Sequence, residues 1–304
     1  MSHSKPSQTP CFVILNADDF GYSRIVNRAI QKAHTEGVLT SASLMVAEEG
    51  FAEAVQLAKE MPHLGVGLHL VLTLDRPVLP PEALPNIVRP NGKLDADLFR
   101  AGLRYSFSPK AQKELSSEIE AQFVRFAETG LEWSHVDGHQ HFHLPPVVWD
   151  KMLEQAAQYG VYRLRYPAEP IRSHLRSGGQ GVNLDTLAAL FFRRLRHRNL
   201  RRMREVERSS QRFFFLCDRV YGHLQTGKMD IAYCTRLLER LEGTTNEIYF
   251  HPGASHATLL PTSQQSSEVR DVELHTLLSP LFRQALDRAE IRVGNYREVE
   301  SWKK

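Results

Sequence analysis

Four places in this 304-residue chain carry side chains able to do chemistry: Asp18-Asp19, His69 in GLHL, the run HVDGHQHFH from His135 to His143, and His251 in YFHPG. Neighbouring carboxylates on an extended backbone point to opposite sides, so one can bind a cation while the other addresses a water; their plain alternative is to cap the following helix. An extended histidine run places Asp137, His139, His141 and His143 on one face, and imidazoles so crowded repel when protonated, which favours a metal or a proton-transfer role over surface decoration. Taken singly, His69 reads as a core histidine and His251 as a strand end before a Pro-Gly turn. Taken together, one carboxylate and two histidines, with an acid and a histidine to spare, are the parts for metal-assisted hydrolysis.

All four places follow segments with strand character. Cys11–Ala17 is an almost unbroken apolar run, as expected for a parallel strand covered on both faces. Val38–Val46, Leu64–Leu72, Trp133–Asp137, Val161–Arg165, Glu247–His251 and Ile291–Val293 read likewise as strands. Helical spacing separates them: Val26, Ile30 and Ala33 behind Ser23, then Phe51–Ala58, Leu115–Phe126, Val147–Tyr159, Met229–Leu241 and Leu274–Ala289, with a proline-rich loop over Asp75–Asp95. Alternation without a hairpin signal predicts a parallel α/β architecture, a barrel or a doubly wound sheet, whose active site lies at the strand ends. No glycine-rich phosphate loop follows the first strand, so a nucleotide site has no support.

Composition bounds the rest. With 42% hydrophobic and 24% charged residues and a formal charge of +3, the chain is an ordinary globular protein with no signature of a nucleic-acid partner. Cys11, Cys217 and Cys234 form no CxxC pair, and no apolar run approaches bilayer length; the polar Met1–Pro10 stretch reads as a disordered tail and the protein as cytoplasmic. Residues 11–304 read as a single domain with an insertion at about 170–228 that breaks the rhythm. Within it lie nine arginines between Phe191 and Arg212, with Phe192, Leu195, Leu200, Met203 and Val206 near helical spacing. Such a basic helix either lies on an anionic membrane, at the inner membrane surface, or packs its apolar stripe on the barrel or on a second subunit of a homodimer.

NADDFG (Asn16–Gly21), GVGLHL (Gly65–Leu70), HVDGHQHFH and the late HPG resemble the YdjC-like carbohydrate deacetylases over nearly the whole chain, and LHLVLTLDRPVLPPE with FHLPP is most similar to their hopanoid biosynthesis-associated branch. The resemblance implies a distorted or incomplete (β/α)-barrel related to the TIM barrel. It also implies a divalent metal, magnesium first and zinc as the alternative, at the C-terminal strand ends. The implied reaction removes acetyl from an N-acetylated sugar. In that branch the substrate is an N-acetylglucosaminyl hopanoid lipid giving the glucosaminyl product; a chitooligosaccharide or another carbohydrate is the alternative. By motif, Asp19, His69 and His139 hold the metal and Asp18 is the base. For the leaving amine, His251 as imidazolium is the expected acid and His141 its rival. Asp137 is expected as a partner of a ligand or as an alternative metal contact. Two other classes share these parts: a ferrous oxygenase with the same ligand types, and a sugar-binding protein without catalysis.

Overall fold

β1 (Phe12–Phe20) is buried along its whole length, which is what an apolar run without alternation requires of a strand covered on both sides. Around it, in this computed structural model describing residues 11–179, 184–253 and 267–302, follow α1 (Arg24–Thr35), β2 (Ser41–Leu44), α2 (Phe51–Glu60), β3 (Gly65–Leu70), α3 (Leu98–Phe107), α4 (Pro109–Ala127), β4 (Val136–Gly138) and α5 (Pro146–Gln158). The chain continues through α6 (Ile171–Arg176), α7 (Leu184–Ser210), β5 (Arg219–Tyr221), α8 (Ile231–Leu238), β6 (Thr245–Phe250), α9 (Ser267–Leu278), α10 (Pro280–Arg288), β7 (Arg292–Gly294) and α11 (Val299–Trp302). The expected Met1–Pro10 tail lies outside the described residues.

Every strand pairing is parallel, in the order β4-β3-β2-β1-β6-β5. One edge of β1 is shared: Phe12–Ile14 pair with β7, and from Asn16 onward the same edge pairs with β2. The sheet curls into a half-barrel wrapped by helices, a distorted relative of the TIM barrel in one domain. Isolated parallel bridges from Val136 to Leu164 and from Arg163 to Phe215 carry the curl from β4 toward the chain entering β5.

Three expectations change. Val161–Arg165 forms bridges and not a strand. The predicted helix over Leu274–Ala289 is interrupted, because Ser279 caps α10 through the N–H groups of Leu281 and Phe282, and Pro280 starts the new helix without the donor that would continue the old one. The insertion is helical only as far as Ser210; after it β5 joins the sheet beside β6. The expected stripe on α7 packs inward: Met203 and Val206 are buried, Phe192, Leu195 and Leu200 rest on the core, and Trp149 Nε1 donates to the Asn199 carbonyl across α5 and α7.

Because all strands run the same way, Asp18-Asp19, His69, Gly138-His139 and His251 emerge at the same end of the sheet. That register depends on close packing beneath. Gly67 faces the His135 ring, and a Cβ there would meet its Nδ1 at 2.4 Å, while the ring is stacked 4.3 Å from Tyr296 and tied at 3.1 Å to Ser43 Oγ. Gly67→Ala is therefore expected to destabilise the fold by ~1–3 kcal/mol. Urea unfolding checks this, and an unchanged midpoint would contradict the packing described.

Candidate metal centre and active site

Asp18 and Asp19 stand where β1 stops being regular. Asp19 has φ 67, in the left-handed region, and the pairing with β2 shifts register between Ala17 and Phe20. Strict alternation therefore fails. The two carboxylates take different partners within one buried site, in place of opposite faces of an extended strand.

Asp19 Oδ2 accepts a 2.8 Å bond from Arg270, while Oδ1 has no hydrogen-bond partner among the described residues. Facing Oδ1 are His139 Nδ1 at 3.2 Å and His69 Nε2 at 3.6 Å. An oxygen and two imidazole nitrogens converging on one point, all within 4.8 Å of each other, fit a single cation. Burial alone would raise the Asp19 pKa, but the His139 imidazole and the Arg270 guanidinium hold it well below the usual carboxylate range. The oxygen is thus available as an anionic ligand.

Both imidazoles are braced from behind. His69 Nδ1 donates to Asp137 Oδ1 at 2.7 Å, which leaves Nε2 to face Asp19, and Ser43 donates to Asp137 Oδ2 at 2.7 Å. His139 Nε2 lies 3.7 Å from Asp75 Oδ2. A carboxylate behind each ring orients it. Burial lowers the His69 pKa, but Asp137 outweighs it and carries the group up to about 9.

Asp18, His69 and Asp137 also lie close enough to share an ion, yet their atoms are already engaged. Arg165 grips Asp18 through both oxygens at 2.7 and 2.8 Å, contacts Asp137 Oδ2 at 2.8 Å and donates to Glu247 Oε1 at 2.7 Å. Asp137 accordingly stands behind His69 with both of its oxygens engaged.

The histidine run does not stay extended. β4 ends at Gly138, and His139–His141 form a tight turn with Gln140 at φ 53 and His141 at φ 54. Asp137, His139, His141 and His143 therefore do not share a face. His141 points to Tyr249, its Nε2 3.0 Å from the hydroxyl, with Phe192 and His223 packed on its ring. Burial, with His223 and His143 close by, drives its pKa well down, so the expected rival acid stands as a neutral ring beside Tyr249. His143 donates from Nε2 to the Arg165 carbonyl at 3.1 Å.

His251 lies with Nε2 3.9 Å from Asp18 Oδ2 and Nδ1 3.8 Å from Glu273. Burial depresses its pKa to about 4, so the ring is neutral at pH 7. Glu273, which accepts the backbone N–H groups of His251 and Gly227, is pushed by burial up to about 7.

Arg165, Glu247, Arg270, Glu273 and Asp75 escaped the reading of the sequence. Arg165 left one trace, a cation closing an apolar segment. Arg270 and Glu273 left none, being positions on a helix whose partners Asp19 and His251 lie 251 and 22 positions away in the chain.

The profile of the YdjC-like protein family matches residues 12–288. The chain belongs to the YdjC-like family. A carbohydrate deacetylase of Brevibacillus brevis is 46% identical over 51% of this chain and 59% of its own length, and a chitooligosaccharide deacetylase of Proteus mirabilis is 39% identical over 48% and 55%. The chain thus spans less than two thirds of these YdjC-like relatives. Carbohydrate deacetylase 2 of Listeria innocua is 30% identical over 94% of this chain and 98% of its own. In fold, a crystal structure of a candidate cellobiose-phosphate cleavage protein from Enterococcus faecalis superposes with TM-score 0.68 at 24% identity, covering 96% of this chain and 99% of that one.

Buried neutral histidines make this YdjC-like fold sensitive to acid. Burial depresses His143 from 6.5 to about 4, so its contribution is complete above pH 6.5 and is lost as pH falls toward 4. At ~1.4 kcal/mol per pKa unit, His143 accounts for up to about 3 kcal/mol of that loss. In His143→Gln, denaturant unfolding across this range is expected to show a shallower fall; an identical slope would contradict the neutral buried ring.

Proposed function

We propose that this protein is a metal-dependent carbohydrate N-deacetylase, with a chitooligosaccharide or related N-acetylated amino sugar as substrate. The unpartnered Asp19 oxygen facing two braced imidazoles, with Asp18 held alongside, is the observation that carries this reading. The names of the Brevibacillus and Proteus relatives support the sugar and the reaction.

Asp19, His69 and His139 would hold the ion. One carboxylate oxygen and two imidazole nitrogens are donors that zinc accepts more readily than magnesium, which prefers oxygen. When bound, the ion supplies Lewis acidity to a water and to the acetyl carbonyl.

The chain's own residues do the rest. Arg165 donates to each Asp18 oxygen and Asn16 donates to Oδ1 as well, which fixes the carboxylate and leaves a lone pair on Oδ2 that can accept the proton of the attacking water. His251, neutral at rest and 3.9 Å away, can receive that proton from Asp18 and deliver it to the departing nitrogen. As the C–O bond to water forms and the C–N bond breaks, one proton moves from the water oxygen to nitrogen, giving acetic acid and a free amine, and the acid then loses its proton to solvent as acetate. His251 set beside Asp18 offers a path for a proton that hydrolysis uses and that neither sugar binding alone nor a ferrous oxygenase calls for.

The narrower reading, an N-acetylglucosaminyl hopanoid, is favoured by the LHLVLTLDRPVLPPE segment and its likeness to the hopanoid-associated branch. Acetate release from that glycolipid and from a chitooligosaccharide, measured side by side with zinc- and magnesium-loaded protein, decides between them. In the same assay Asp18→Asn is expected to lose turnover by about 10²- to 10⁴-fold while retaining metal. Metal lost in Asp18→Asn but kept in Asp19→Asn would reverse the two roles, and no acetate from either substrate would overturn the reading.

A further inference from the structure

We propose that the outward face of α7 docks this protein on an anionic lipid bilayer. This docking is independent of which sugar is hydrolysed and adds a partner that the deacetylase reading does not require. No helix among the described residues is long and apolar enough to cross a membrane, so any such contact is made from the surface.

With the original stripe turned inward, a different set of side chains faces solvent. Leu187, Leu190 and Phe191 are 56%, 46% and 54% exposed in the first turns of the helix. Arg194, Arg201, Arg204 and Arg208 continue that side at helical spacing, all exposed. The side opposite the barrel is thus apolar at one end and cationic along the rest.

The charges on this face are free to meet a partner. Between Phe191 and Arg212 there are nine arginines and two glutamates. Both acids are occupied: Glu205 pairs with Arg202, and Glu207 accepts the Phe214 N–H. Arg198 and Arg202 are bound to Asp150 and Glu154 on the barrel side. Arg193, Arg194, Arg201, Arg204 and Arg208 have no ion-pair partner among the described residues.

Charge complementarity selects the occupant. A second copy meeting this face by two-fold symmetry would set unpaired arginines against unpaired arginines. Anionic headgroups neutralise them instead, and the interface region of a bilayer accepts the leucines and the phenylalanine. The helix also reaches the candidate site, since Phe192 packs 5.7 Å from His141 and 5.5 Å from His223. A bilayer held by these turns would lie beside the C-terminal strand ends, where a membrane-borne substrate could be met.

Flotation of the full chain with vesicles of phosphatidylcholine alone, or of phosphatidylcholine mixed with phosphatidylglycerol, tests this. Binding is expected only to the mixed vesicles and to fall as salt rises. The triple variant R194E/R201E/R204E is expected to weaken it at least about hundredfold, from about one kcal/mol per arginine lost at the surface. The variant L190S/F191S is expected to bind more weakly with its folding, read by circular dichroism, unchanged. Equal binding to neutral vesicles, no binding at all, or indifference to the triple charge reversal would overturn the proposal. So would concentration-dependent self-association abolished by L190S/F191S, which would give the face to a second copy.

Discussion

A single guanidinium with no solvent exposure organises this molecule. Arg165 gathers Asp18, Asp137 and Glu247 and lies 4.7 Å over the Tyr249 ring. Three carboxylates brought together without a cation would protonate or push apart, and removing one partner from such a buried cluster costs about 3–5 kcal/mol. Burial alone would disfavour the charge on Arg165, but its carboxylates raise its pKa well above the ordinary value and keep it ionised. The cluster is therefore a constraint on position first: it joins the end of β1 to β4, to β6 and to the bridge segment after Leu164.

From that constraint the division of labour among the acids follows. Arg165 and Asn16 hold Asp18 but leave a lone pair on Oδ2, Arg165, His69 and Ser43 engage Asp137, and of these three acids only Asp19 keeps an oxygen with no hydrogen-bond partner among the described residues. Arg270 holds the other Asp19 oxygen, so one carboxylate presents one ligand atom. Neutral rings surround this charged centre: burial keeps His143 and His251 near 4, whereas Asp137 lifts His69 to about 9. Environment, and not residue type, separates the His69 ring from those of His143 and His251.

Much of this was legible in the chain itself. Apolar runs ending in Asp18, His69 and His251 revealed strands and their functional ends together, because a parallel strand is buried throughout and changes character only where it reaches the loops. Asp19, His69 and His139 could be singled out as a set, and the structure brings them together. The conformation of HVDGHQHFH was not legible, since Gln140 and His141 adopt left-handed angles that neither residue type announces. Arg165 and Arg270 were hidden for another reason: their meaning lies in pairings with Asp18 and Asp19, which only the closed sheet creates. The Ser279-Pro280 break, by contrast, carried a readable cap-and-proline signal that apolar periodicity across it obscured.

The arrangement stands or falls on where an ion sits. Crystals of the protein soaked in a zinc or manganese salt, with anomalous scattering recorded at the metal edge, locate it directly. One peak about 2.0–2.2 Å from Asp19 Oδ1, His69 Nε2 and His139 Nδ1 is the predicted result. A peak between Asp18 and Asp137, or density at neither place from protein that is active with that metal, would contradict it.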